Sequence, residues 1–131
     1  MIMFTQKRIL IAGALLAGVA VGLGAFGAHA LKQLLQQNGR VDTFELATRY
    51  HFYHAFQLLV LGALYPAFSS RLWRASAWMS VVGIVLFSGS LYVMAIFNTT
   101  RVALITPLGG VCFFAAWALM AIAIYRNQSK G

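Results

Sequence analysis

ILIAGALLAGVAVGLGAFGAHAL, Ile9 to Leu31, runs for 23 residues without a charged side chain. As a helix it is roughly 35 Å long at about 1.5 Å per residue, and roughly 20 apolar residues cross the hydrocarbon core of a bilayer. Three more runs of the same kind follow, Tyr50–Ser70, Ala75–Thr100 and Val102–Tyr125, each of at least 21 residues. Between them lie short stretches that hold nearly every charge. The pattern predicts an all-α, polytopic membrane protein, four transmembrane helices in an antiparallel bundle. The whole chain, 1–131, reads as a single membrane domain with spans of about 9–31, 50–69, 75–98 and 102–125 and an outer loop at 32–49.

Composition excludes the main alternatives. The chain is 61% hydrophobic and 9% charged, whereas a soluble domain carries about 25% charged residues. A membrane β-barrel needs shorter segments of alternating polarity. The net charge of +8 raises the question of nucleic acid, but Lys7, Arg8, Arg71, Arg74, Arg101 and Arg126 stand at the ends of the apolar runs. There basic side chains anchor helices at lipid headgroups, and no nucleic acid is expected as a partner. Cys112 is the only cysteine and reads as a small apolar residue of the fourth run. Lys7-Arg8, an apolar stretch and Ala28-His29-Ala30 imitate a secretory signal, but the stretch is too long for one and reads as a first span.

Lys7, Arg8, Arg71, Arg74, Arg126 and Lys130 collect on one side of this topology, against Lys32, Arg40, Arg49 and Arg101 on the other. The positive-inside rule then places both termini in the cytoplasm. Short second and third loops make the last three spans antiparallel neighbours. In the first loop Leu31, Leu34 and Leu35 recur at helical spacing beside Lys32 and Gln33, which predicts a short interfacial helix stopped by Asn38-Gly39. Asp42 then caps a new helix, with Glu45 three residues on and Arg49 one turn beyond it as an ion-pair partner. That helix is expected to continue unbroken into the second span.

Small residues crowd the first span. Ala14, Gly18 and Gly22 form one row, and Ala20, Gly24 and Ala28 another, with Gly27 beside them. Such rows let helix backbones approach in lipid. Two rows predict that the first span packs on two neighbours or sits centrally. Gly89, Gly109 and Gly110 offer close approach elsewhere. Thr106-Pro107 reads as a cap and first turn, so the fourth helix is expected to begin near Pro107, with Val102 to Ile105 extended or irregular.

Polar residues are unevenly spread. His29, His51, His54, Gln57, Ser88, Ser90, Tyr92 and Thr106 fall in the outer half of the spans. Apart from Tyr65, Ser76 and Ser80, the inner half is apolar. Polar groups inside a membrane mark function or face the bundle interior, which makes His29, Glu45, Tyr50, His54, Gln57, Ser88, Ser90 and Thr106 the candidate cluster of a site opening outward. His29, His51 and His54 are weak metal candidates, because a zinc or copper site wants three or four ligands at recognisable spacing. Hydrogen bonding across helices is the simpler role for these rings, and no cofactor is expected. No nucleophile elbow, phosphate loop or intramembrane carboxylate pair is present, so no catalytic residue is assigned.

Four segments, LGAFGAHAL (Leu23–Leu31), TFELATRYHFYHAFQLL (Thr43–Leu59), LFSGSLY (Leu86–Tyr92) and TPLGGVCFFAAWALM (Thr106–Met120), carry a resemblance. In this order they resemble the small four-span bacterial inner-membrane proteins of domain-of-unknown-function family 423, related to a small eukaryotic transmembrane protein. The resemblance implies a multi-pass inner-membrane protein with no assigned activity, and its matching positions are His29, Tyr50, His54, Ser88-Gly89-Ser90 and Thr106-Pro107. His51 stands where the family more usually has glutamine, which weighs against a three-histidine metal site. Ala116 stands where a glycine often precedes the tryptophan. The expectation is a non-enzymatic accessory, assembly or structural factor in contact with the bilayer, working through helix packing as a homo-oligomer or in a larger membrane complex. The alternative is an oligomeric transporter or channel for a small solute or protons through the outward polar vestibule, or a histidine-based metal or haem binder.

Overall fold

The computed structural model describes residues 4–128; of the residues used above, Lys130 lies outside them. The described chain folds into α1 (Gln6–Ala28), α2 (Lys32–Gln37), α3 (Val41–Ala63), α4 (Tyr65–Phe68), α5 (Arg71–Gly83), a π-helical turn (Ile84–Ser88), α6 (Gly89–Phe97) and α7 (Ile105–Gln128). The helix α5, the π turn and α6 are one continuous rod. Among the described residues three stretches are long and apolar enough to cross a membrane: Gln6–Ala28, Arg71–Phe97 and Ile105–Asn127.

Local chemistry sets the ends of these elements. The side chain of Thr5 accepts from the Arg8 amide to open α1, and Ser70 Oγ accepts from the Trp73 amide at 3.1 Å to open α5, each satisfying an orphan donor of the first turn. The helix α2 stops at Asn38-Gly39. Gly39 takes φ +65°, and the amides of Gly39 and Arg40 bond back to the carbonyls of Gln36 and Leu35, the paired bonds of a Schellman closure. Asn98 closes α6 at φ 47°, a left-handed conformation that asparagine tolerates.

Packing runs in one direction: α1 lies on α3, α3 on the α5–π–α6 rod, and that rod on α7. The centre is therefore α3, with nine buried residues from Phe44 to Gly62, against three on α1, Ile9, Gly13 and Ala20. At one end of the bundle Gln6 Nε2 donates to the Gly62 carbonyl at 3.2 Å, and Asn127 Nδ2 to that of Ala67 at 3.2 Å. At the other end Asn38 Nδ2 donates to the carbonyls of Ala95 and Ile96 at 3.0 and 3.2 Å, tying the first loop to the end of α6.

Several expectations need correction. The second expected span falls in α3, which has the same 23 residues as α1 but is not among the stretches apolar enough to cross, because Arg49, His51, His54 and Gln57 interrupt it. It ends at Ala63, not near residue 69, and Tyr65-Pro66 opens the separate turn α4. Asp42 is not the cap of α3: the helix already begins at Val41, with Arg40 before it, leaving Asp42 in the first turn, where a carboxylate complements the helix dipole. Among the described residues no ion pair joins Glu45 to Arg49, and both side chains face a groove instead. The helix α7 starts at Ile105, so Thr106 lies inside its first turn and does not cap it. The first span is peripheral, not central. A Cβ built on Gly18 or Gly22 meets nothing within 4 Å, whereas one on Gly13 comes within 3.0 Å of Leu59.

The tightest approach is at Gly109, one of the glycines expected to permit it. A Cβ on Gly109 of α7 would collide with the backbone of Phe87 in the π turn. Gly109→Ala should therefore lower the unfolding midpoint, at a cost of about 1–3 kcal/mol, as overpacking does. Gly18→Ala should be neutral or slightly stabilising, since helix propensity rises and nothing is displaced. Denaturant titration in detergent followed by circular dichroism reads both. Equal midpoints for the two variants would contradict the close approach.

Candidate functional site

Polar side chains in the bundle core are bonded from helix to helix. On α5, Ser76 Oγ donates to the Ala116 carbonyl of α7 at 2.6 Å. One turn on, Ser80 Oγ lies 2.8 Å from Gln57 Oε1 on α3 and 3.0 Å from the Ser76 carbonyl. Trp73 Nε1 donates to the Leu61 carbonyl of α3 at 2.8 Å. In the π turn Ser88 Oγ donates to the Ala47 carbonyl of α3 at 2.7 Å. Ser90 Oγ donates to the Phe87 carbonyl at 2.9 Å, which leaves the Thr106 hydroxyl to donate to Ser90 Oγ across 2.6 Å. Ser76, Ser80, Ser88 and Gln57 are all essentially inaccessible. Sequence reasoning set Ser76 and Ser80 aside as exceptions in an apolar half. The signal that could have found their role is their i, i+4 spacing, which places both on one face.

His54 is fixed by both ring nitrogens. The indole Nε1–H of Trp117 donates to His54 Nε2 at 3.1 Å, so Nε2 carries the lone pair. Nδ1, 2.7 Å from the Tyr50 carbonyl, must then carry the proton and donate. This is a neutral imidazole with each nitrogen occupied, stacked at 3.4 Å and 8° on the Phe113 ring. Trp117, itself half exposed, thus holds a core side chain.

His51 Nδ1 meets Tyr92 Oη at 3.0 Å, Tyr92 Oη donates toward Thr48 Oγ1 at 3.5 Å, and Thr48 donates to the Phe44 carbonyl at 3.1 Å. His51 Nε2 is buried without a hydrogen-bond partner. His29 is exposed at the end of α1. Among the described residues no three or more His, Cys, Asp or Glu side chains gather as metal ligands do.

Two grooves flank α3. The first, about 320 Å³, is walled by α1, α2 and the start of α3, with Gly24, Gly27, Leu35, Phe44, Thr48, Glu45 and Arg49 on its lining. The second, about 510 Å³, lies between α3 and α7 and is aromatic: Tyr50, Tyr53, His54, Phe56, Phe113, Phe114 and Trp117. They share no lining residue. The candidate cluster is consequently dispersed. Glu45 is in the first groove and Tyr50 and His54 in the second. Gln57, Ser88, Ser90 and Thr106 are used between helices, and His29 stands apart. Of the packing glycines, Gly27 fits under the Phe44 ring, Gly24 lies near Thr48, and Gly89 and Gly110 have only ordinary contacts.

Comparison with known proteins agrees with this membrane architecture. Residues 23–110 match the family model described as "Protein of unknown function (DUF423)". A UPF0382 membrane protein of Staphylococcus epidermidis is 42% identical over 121 residues, covering 92% of this chain and 98% of that protein. The UPF0382 membrane protein YwdK of Bacillus subtilis is 39% identical over 122 residues, covering 92% and 98%. The UPF0382 inner membrane protein YgdD of Escherichia coli K12 is 39% identical over 130 residues, covering 97% and 96%. No solved structure matches the chain.

The Ser80–Gln57 contact gives a quantitative expectation. Ser80→Ala leaves the buried Gln57 oxygen without its donor and should cost about 1–2 kcal/mol. Replacing both partners, as in Gln57→Leu with Ser80→Ala, should recover part of that loss, since an apolar pair strands nothing. A double variant as unstable as the sum of the single ones, in the same denaturant titration, would show that the two side chains do not interact.

Proposed function

We propose that this chain, which belongs to the DUF423 (UPF0382) family of membrane proteins, is a non-enzymatic structural or assembly factor of the inner membrane acting through helix packing. The observation that carries the reading is the use of core polar groups as inter-helix staples. Ser76, Ser80, Ser88, Trp73, Gln57 and His54 each bond a neighbouring helix or its backbone, leaving none of them poised over a reacting atom. The two grooves share no lining residue.

In this reading α3 is the fourth crossing. It lies along α1 and returns the chain to the end where α1 began, so that α5 can start there. Its polar side chains are tolerated at depth because they face protein, as intramembrane polar residues do. Four crossings put both termini on one side, the cytoplasmic one by the excess of Lys7, Arg8, Arg71, Arg74 and Arg126.

The helix α1 supplies the assembly surface. Its Ala14–Gly18–Gly22 row is left open by the rest of the chain: Ala14 and Gly18 are exposed, and nothing lies near Gly18 or Gly22. A second copy fits such a row, because small residues let two backbones meet.

Gly18→Cys in a Cys112→Ala background should give disulfide-linked dimers in native membranes under mild oxidation, and Gly18→Leu should abolish self-association measured by sedimentation in detergent. Monomer alone from cysteines placed in turn at 14, 18 and 22 would sink the self-assembly reading.

A further inference from the structure

The first groove holds a pair of opposite charges that the fold leaves unused. Glu45 and Arg49 sit one turn apart on α3, about 5–6 Å between Cβ atoms, in the order that favours an ion pair. Yet both line the groove and, among the described residues, neither has a partner. The chain has ten Lys and Arg but two acids, so a carboxylate is a rare resource here. The rest of the lining is apolar or small, with Gly24, Gly27, Leu35 and Phe44. Thr48 spends its proton on the Phe44 carbonyl and is no donor to a ligand.

We propose that this groove binds the headgroup of a zwitterionic phospholipid bearing a primary ammonium, with the Glu45 carboxylate on the ammonium and the Arg49 guanidinium on the phosphate. Charge selects this class. An anionic headgroup alone would meet Arg49 but be repelled by Glu45, and a lone cation would meet the reverse. A headgroup with both signs across a two-carbon link satisfies both residues. Its phosphate suits the forked donors of arginine, and its ammonium donates hydrogen bonds that a quaternary amine cannot. The place is right for a lipid. The groove lies where the apolar run of α1 ends, beside the basic side chains Lys32, Arg40 and Arg49, which mark the membrane–water boundary. Ala28 and Val41, the more accessible apolar side chains of the lining, can cover the glycerol and first methylenes. This site does not depend on self-association or on the absence of catalysis.

The test is native mass spectrometry of the full-length protein in non-ionic detergent, titrated separately with dioleoyl phosphatidylethanolamine and dioleoyl phosphatidylglycerol. The ethanolamine lipid should bind about tenfold more tightly than the glycerol lipid, the scale of one charged hydrogen bond. Glu45→Gln should erase that preference and Glu45→Asp should retain part of it, while Arg49→Gln should weaken both lipids. Both positions are exposed, and unchanged melting of each variant separates lost binding from lost fold. Competition by glycerophosphoethanolamine assigns recognition to the headgroup alone. No competition, with the Glu45→Gln effect intact, assigns it to the headgroup in its lipid. Equal binding of the two lipids by the unaltered protein, or a preference that survives Glu45→Gln, overturns the proposal.

Discussion

Hydrocarbon offers no hydrogen-bond partner, so a helix carrying polar side chains at depth must be surrounded by protein that supplies them. In the proposed four-crossing arrangement α3 is such a helix, and the rest of the bundle follows from meeting that condition for it. Its Gln57, His54 and His51 cannot face lipid at no cost, and α1, the α5–π–α6 rod and α7 close around it. The carbonyls of Ala47 and Leu61 on α3 accept the hydroxyl of Ser88 and the indole of Trp73, while Ser80 meets its amide. Each such bond contributes modestly, about 0.6 kcal/mol on average between membrane helices. The larger effect is the cost avoided by leaving no donor or acceptor stranded. His51 Nε2 is the exception among the described side chains.

The π turn is the device that lets the third rod serve both neighbours. One extra residue in the turn shifts the rotational phase of α6 relative to α5. Ser76 and Ser80 on α5 reach α7 and α3, and Ser88 then meets α3 again. At the same level Gly109 lays the α7 backbone against Phe87, and Phe113, one turn along, stacks on His54. The polar contacts thus run along the rod from Trp73 to Ser90, and the closest packing falls at its π turn.

Much of this was legible in the sequence. The apolar runs gave the helices, Asn38-Gly39 gave the stop of α2, and the helix entering the second run from the first loop is there. What escaped was what depends on partners. A π turn leaves no mark in the apolar string Ile84–Phe87, and the contacts made at it, Ser88 to Ala47 and Gly109 to Phe87, join residues far apart in the chain. The small rows of α1 state that close approach is permitted but not which face is used. Gly13 and Gly27 meet α3, while Gly18 and Gly22 are left open. Thr106 looked like a cap because threonine before proline commonly is one, yet its hydroxyl serves Ser90. The polar cluster had a common depth in the sequence but not a common cavity, since depth says nothing of the direction in which a side chain points.

The proposed function requires α3 to be a dry, central crossing and not the wall of a water-filled vestibule. Hydrogen–deuterium exchange of the protein in lipid nanodiscs, resolved by peptide, measures this directly. The amides of α3 from His51 to Leu61 should exchange as slowly as those of α5 and α7, with faster exchange confined to the first loop and the start of α3. Exchange across residues 51–61 within seconds, at the rate of an open helix face in water, would contradict it.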